Sequence, residues 1–168
     1  MKTLVPLLAM ILSLLGLRAH AEPLALGAAA PAITAPTDDG QPLDLGQLCQ
    51  TGFTLVYFYP KADTPGCTAQ GCSLRDAYEA LTAAGVKVVG VSTDSVAAQK
   101  AFREKFRLPF PLLADREKKV TAAFGVPTTM GFASRQAFLF KDGKLVWRDL
   151  KASTAQQAAD VLAALKSL

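Results

Sequence analysis

Thr54-Leu55-Val56-Tyr57-Phe58-Tyr59-Pro60-Lys61-Ala62-Asp63-Thr64-Pro65-Gly66-Cys67 is the stretch on which the fold turns. Thr54 to Tyr59 has the β-branched and aromatic composition of a core strand. Pro60 to Pro65 cannot continue it, and Pro65 suits the first turn of a helix. A buried strand, a tight turn and a thiol on the first turn of a helix make a setting for a reactive thiolate. The helix N-terminus offers unsatisfied N–H groups and partial positive charge, and Thr64 supplies a hydroxyl beside the sulfur. A second thiol, Cys72, follows five residues later.

Outward from this stretch the chain alternates between two periodicities. Cys67 to Ala84 reads as a helix, with Leu74, Ala77, Tyr78 and Leu81 at three- and four-residue spacing and Gly85 as its stop. Val86–Ser92 is nearly continuous in apolar character, which suits a parallel strand covered on both faces. Ser95 is an N-cap for a helix over Val96–Phe106, whose Arg103 and Lys105 favour its C-terminus. Pro111–Ala114 is a short strand, Asp115 a cap candidate, and Val120–Phe124 a short helix ending at Gly125. Gln136–Phe140 and Lys144–Trp147 flank Asp142-Gly143, a hairpin signal. Ser153 or Thr154 caps a last helix running to Lys166. Upstream, Pro31, Pro36 and Pro42 break a loop-rich region in which Asp38-Asp39-Gly40 predicts a turn between two short strands. Parallel strands joined by helices and followed by an antiparallel pair predict a mixed α/β sandwich.

The first residues read as a targeting segment. Lys2 opens it, an apolar run extends from Leu4 to Leu17, and Ala19-His20-Ala21 supplies small residues for cleavage, expected between Ala21 and Glu22. The alternative is an uncleaved anchor helix, for which the run is short. Cleavage leaves one domain over residues 22–168 and predicts an exported protein with no stable membrane association. Lys2 and Arg18 depart with the leader, lowering the formal net charge of +4 by two. The remaining charge is mixed in sign, as in Arg116-Glu117-Lys118-Lys119, and does not point to nucleic acid. His20, the only histidine, departs too. That removes Ser-His-Asp and Cys-His catalysis and histidine-ligated metals from consideration. Three cysteines remain, Cys49, Cys67 and Cys72. Export permits disulfides, but a domain of this length does not need one to fold. A pair is therefore expected to be redox-active, with Cys49 as a small buried hydrophobe.

The run Pro60-x-x-x-Thr64-x-x-Cys67, followed by Cys72, resembles a peroxiredoxin of the bacterioferritin-comigratory, or Q, type. Gly125-Val126-Pro127 and Arg135-Gln136-Ala137-Phe138-Leu139-Phe140-Lys141-Asp142-Gly143 look like that family's arginine-bearing strand and hairpin, and the resemblance covers roughly residues 24 to 168. It implies a thioredoxin-like fold with an N-terminal β-hairpin, and reduction of hydrogen peroxide and organic hydroperoxides without metal or organic cofactor. It implies Cys67 as the peroxidatic thiol, Cys72 as the resolving thiol, and Thr64, Pro60 and Arg135 as pocket residues. An intramolecular Cys67–Cys72 disulfide, recycled by a thioredoxin-like or other dithiol donor, follows from it. So does a monomeric state, common among Q-type relatives. One departure is Gln70, where family members often carry Glu.

A free thiol is only about 3% ionised at pH 7, and the thiolate is the nucleophile. The helix terminus and Arg135 are the means this chain has for stabilising it. The same donors, with Thr64, can stabilise charge moving onto the departing oxygen of a peroxide. Helix geometry opposes the second step. Five residues of helix rise about 7.5 Å and turn about 140°, putting the two Cα atoms roughly 8.6 Å apart, whereas a disulfide needs about 7 Å or less. The first turns must therefore unwind before Cys72 reaches Cys67. An exported thiol–disulfide oxidoreductase is the competing reading, but its usual Cys-x-x-Cys is missing. A partner-binding module on the same scaffold is a third.

Overall fold

The apolar run forms the centre of the molecule in a computed structural model that describes residues 22–168. The expected leader and its cleavage point lie outside the described residues. The elements in order are β1 (Thr34–Pro36), β2 (Pro42–Asp44), α1 (Leu45–Leu48), β3 (Phe53–Phe58), α2 (Pro65–Asp76), α3 (Tyr78–Ala83), β4 (Val86–Ser92), α4 (Val96–Phe106), β5 (Leu112–Ala114), α5 (Lys119–Ala123), β6 (Thr128–Thr129), β7 (Phe132–Ala133), β8 (Gln136–Lys141), β9 (Lys144–Asp149) and α6 (Gln157–Leu165).

The main sheet has five strands in the order β5-β4-β3-β8-β9. The β3–β4 and β4–β5 pairs are parallel, and the β3–β8 and β8–β9 pairs antiparallel. β3 is central because its residues from Thr54 to Phe58 are buried throughout. Its side chains alternate between two cores, as strand geometry requires. Leu55, Tyr57 and Tyr59 face one side with Ala137 and Leu139 of β8, Leu74 of α2, Leu81 of α3, Phe102 of α4 and Val161 of α6. Val56 and Phe58 face the other with Phe138 and Phe140, Leu45 of α1, Val120 of α5 and Phe124 just beyond that helix. The β3-α2/α3-β4 and β4-α4-β5 crossovers advance in one direction across the sheet, which is why α2, α3 and α4 share a face.

Several elements differ from the sequence reading. The helix from Cys67 to Ala84 is two helices with a break at Ala77, whose N–H turns to Ser73 and Arg75 carbonyls. Asp115 does cap α5, accepting from the N–H groups of Val120 and Thr121 at 3.0 and 2.7 Å. Ser153 accepts from Gln156 N–H at 3.1 Å, but the helix starts only at Gln157. The one-turn α1, capped by Asp44, and the small β6–β7 hairpin had no prediction.

The N-terminal segment runs across the second face. Gly27 and Ala30 N–H groups reach Leu145 and Gly143 carbonyls, and Leu145 N–H returns to Ala28, so this segment lies along β9. At the opposite end, Thr37 bridges to Leu113 of β5. Buried Asp38 clinches that end: it accepts from Arg103 at 2.9 and 3.2 Å and from Leu112 N–H at 3.0 Å.

Candidate active site

The site forms where β3 runs out at the N-terminus of α2. Thr64, extended at the N-cap, is followed by Pro65 in the first turn, which has no N–H to leave unpaired. The first bond of the helix runs from Thr68 N–H to Thr64 carbonyl at 2.8 Å. The amides of Gly66 and Cys67 therefore have no acceptor within the helix. They point with the helix dipole toward the space beyond the terminus, as an anion or a developing negative charge requires. Cys67 is 2% exposed and packs in the first core with Tyr57 and Tyr59.

Arg135 comes from the other side of the sheet strand. β8 pairs antiparallel with β3, Gln136 opposite Phe58, so Arg135 is level with the end of β3. Its parity matches Ala137 and Leu139, which face the first core. The guanidinium accordingly reaches Cys67, Nη2 donating to Sγ at 3.4 Å. Its Nη1 donates to Gln70 Oε1, one turn further along α2. A Cβ on Gly66 would lie 3.2 Å from Arg135 Nη2 and 3.3 Å from Thr154 Cγ2, so glycine there leaves room for the guanidinium.

The loop between strand and helix is tied down at several points. Thr64 hydroxyl donates to Lys61 carbonyl at 2.9 Å. Ala62 N–H donates to Asp94 at 2.8 Å, and Asp94 also accepts from Ser92 hydroxyl at 2.7 Å. Asp63, at a positive φ of 56°, is held by Lys105 at 2.7 Å. Pro60 is half-buried at the strand end. Lys61 Nζ stands 5.8 Å from the centre of the Phe132 ring, on the β6–β7 hairpin. The exposed Phe132 and Met130 of that hairpin give this side an apolar rim.

Behind the sulfur lies Tyr57, fully buried, with no partner for its hydroxyl. Burial pushes its ionisation well up, nearby Cys67 and Cys72 push the same way, and Arg135 opposes them. It stays neutral.

Of the residues read from sequence, Cys67 and Arg135 are brought into contact, and Thr64 and Pro60 line the loop beside them. Cys72 is half-buried on the same unbroken helix as Cys67, and the cysteines are unpaired. Cys49 lies fully buried in the second core, across the sheet from Cys67, and burial pushes its thiol up to about 11. Sequence reasoning missed Gln157, whose Oε1 accepts from Gln70 Nε2 at 2.7 Å in a buried contact. No local pattern distinguishes it.

Known proteins resemble this chain in sequence and in fold. The model of the AhpC/TSA family matches residues 26–148. The chain is 46% identical over 101 residues to a Coxiella burnetii protein named peroxiredoxin bcp, covering 60% of this chain and 66% of that one. It is 44% identical over 104 residues to the chloroplastic peroxiredoxin Q of Populus jackii, covering 62% and 48%. These alignments span between about half and two thirds of those relatives' lengths. Among solved structures, the peroxidoxin BcpB of Mycobacterium tuberculosis superposes with a TM-score of 0.80 at 32% identity, covering 86% of this chain and 98% of that one. The bacterioferritin comigratory protein of Xanthomonas campestris, studied for alkyl peroxide reduction, gives 0.77 at 32% identity, covering 86% and 96%. The fold is thus thioredoxin-like, and the chain belongs to the AhpC/TSA family, among relatives that are peroxiredoxins of the bacterioferritin-comigratory, or Q, type.

Proposed function

We infer that the protein is a thiol-dependent peroxidase acting on hydrogen peroxide and organic hydroperoxides through Cys67. The contact that carries this reading is Arg135 Nη2 on Cys67 Sγ at 3.4 Å, at a helix N-terminus in a chain whose only histidine is His20. The guanidinium and the free amides of Gly66 and Cys67 stabilise the thiolate, doing the work an imidazole does elsewhere. Thr64 donates its one proton to Lys61 carbonyl, not to a departing oxygen as the sequence reading expects, so its oxygen is free to accept the O–H of an incoming hydroperoxide. That bond would hold the proton-bearing oxygen in line with the sulfur. Attack transfers that hydroxyl to Cys67 and breaks the O–O bond; the other oxygen leaves with the negative charge, stabilised by Arg135 and the amides, and takes a proton from solvent to depart as water or an alcohol.

Cys67 is then a sulfenic acid. Cys72 attacks it, the S–O bond breaks, water leaves and a Cys67–Cys72 disulfide remains. A thioredoxin-like or other dithiol donor restores both thiols by exchange. The continuity of α2 through both cysteines supports the unwinding requirement, since i and i+5 on a helix are roughly 8.6 Å apart. The leader-like residues 1–21 support an exported location for the mature chain.

Peroxide consumption by purified protein with a dithiol donor tests the reading, alongside peptide mapping after one equivalent of peroxide. Activity lost in Cys67→Ser, with a Cys67–Cys72 link in the parent, is expected. Consumption that survives Cys67→Ser would overturn the assignment. A link from Cys67 to Cys49 or to another chain would remove Cys72 from the cycle.

A further inference from the structure

The start of α6 is fastened to the part of α2 that must unwind. Gln70 sits between the two reactive cysteines, and its side chain is committed at both ends. Its Oε1 accepts from Arg135, and its Nε2 donates to Gln157 Oε1 at 2.7 Å. One residue further along α6, Ala158 N–H donates to Ser73 Oγ at 3.3 Å. Gln70 and Ser73 are three apart and so lie on one side of α2, bracketing Cys72. Gln70 and Gln157 are fully buried, so the bond between them is not exchanged for one to water until the helices part.

We propose that Gln157 is a positioning residue that keeps α2 wound and thereby sets how fast Cys72 reaches oxidised Cys67. The inference rests on the peroxidase reading above. Gln157 acts through Gln70: by accepting from Nε2 it turns Oε1 toward Arg135, fixing the amide in the one orientation that serves both neighbours. Opening α2 across Gln70 breaks the Arg135, Gln157 and Ser73 contacts together. The hold is also releasable. Gln157 Nε2 has no partner in its buried site, so the pair gives up part of its stability to an unmet donor. A second hydroperoxide can meet the waiting sulfenic acid, adding a further oxygen to sulfur and leaving as water or alcohol. The latch therefore governs the partition of Cys67 between disulfide and irreversible sulfinic acid.

The test compares the full chain with Gln157→Met, which keeps length but removes the amide, and Gln157→Glu, which keeps an oxygen to accept from Gln70. Val89→Ala, a cavity in the opposite core, controls for general loss of stability. In the reduced protein, hydrogen exchange of amides 68–73 relative to those of β3 and β4 should rise about five- to tenfold in Gln157→Met. After peroxide, mass spectrometry should show the disulfide-to-sulfinic ratio rising by a similar factor. Gln157→Glu should return both readouts toward the parent. Unchanged exchange and partition in Gln157→Met, or the same change in Val89→Ala, would overturn the latch. Faster exchange in a protein that forms no disulfide would support the latch and count against the peroxidase reading instead.

Discussion

Arg135 makes contacts to two residues of α2, the sulfur of Cys67 and the amide of Gln70. In the proposed mechanism its removal withdraws a charge from the thiolate and a donor from the leaving oxygen at once. Arg135→Ala is expected to slow the reaction of Cys67 with peroxide by about a hundredfold, measured by stopped-flow, with the circular dichroism spectrum unchanged. Arg135→Lys should recover only part, because an ammonium cannot reach both partners with a planar fork. A rate within twofold of the parent for Arg135→Ala would assign catalysis to the helix terminus alone. The residue types at this site were legible in the sequence, because proline, threonine and cysteine stand at fixed offsets after an apolar run. Their contacts were not. That Arg135 meets Cys67 follows from the register Phe58 opposite Gln136, a long-range pairing no local pattern encodes. Gln70 was visible as a departure from its family, but its bond to Gln157 joins residues 87 apart.

Elements whose signals are local were read closely. Val86–Ser92 and Val96–Phe106 coincide with β4 and α4, and Ser95 caps as expected, accepting from Ala98 N–H at 3.2 Å. The break at Ala77 was hidden because Leu74, Ala77, Tyr78 and Leu81 keep helical spacing across it, and periodicity does not register one turned peptide. The strands of the β6–β7 hairpin are two residues each, too short for alternation, and its turn depends on left-handed Met130 and Gly131. β4 also depends on a glycine for space rather than conformation. A Cβ on Gly90 would meet Leu112 Cδ2 at 2.7 Å and the Tyr57 hydroxyl at 2.8 Å. Gly90→Ala is therefore expected to cost about 1–3 kcal/mol through overpacking, read from denaturant unfolding. It should also slow the peroxide reaction by shifting Tyr57 behind Cys67. Unchanged stability would mean that Tyr57 has room to move.

At the scale of the whole molecule, the sheet divides two sets of chemistry. Cys67 and Cys72 belong to the α2 side and Cys49 to the other. Cys49 should resist alkylation in the native protein. Its folded value, about 11 against an ordinary 9.0, lies above that of an unfolded chain. The stabilisation from burying it neutral is thus complete below about pH 9 and is lost as pH rises toward 11. Tyr57 and Tyr59 are displaced in the same direction by burial, so the comparison that isolates the thiol is with Cys49→Ala. The variant should lose less stability than the parent between pH 8.5 and 10.5. Equal losses would remove Cys49 from the alkaline transition. On the same large scale, Asp38 joins the N-terminal hairpin to α4 and β5. Asp38→Ala orphans Leu112 N–H and frees Arg103, whose side chain is 34% exposed and so partly rehydrated. The expected loss is about 2–3 kcal/mol, seen in the urea midpoint. A change below about 0.5 kcal/mol would show the hairpin to be held by its apolar contacts alone.

The segment that precedes β3 touches both ends of the five-stranded sheet, along β9 through residues 27–30 and at β5 through Thr37. Open strand borders are where chains stack on one another and begin to form fibrils. Here one continuous stretch of backbone serves as a bumper on both borders, using hydrogen bonds that a neighbouring molecule would otherwise need. At these two places the folded protein offers no open border for strand addition. Cutting that stretch is expected to uncover both borders and raise light scattering through strand addition, before any change reached the sulfur chemistry.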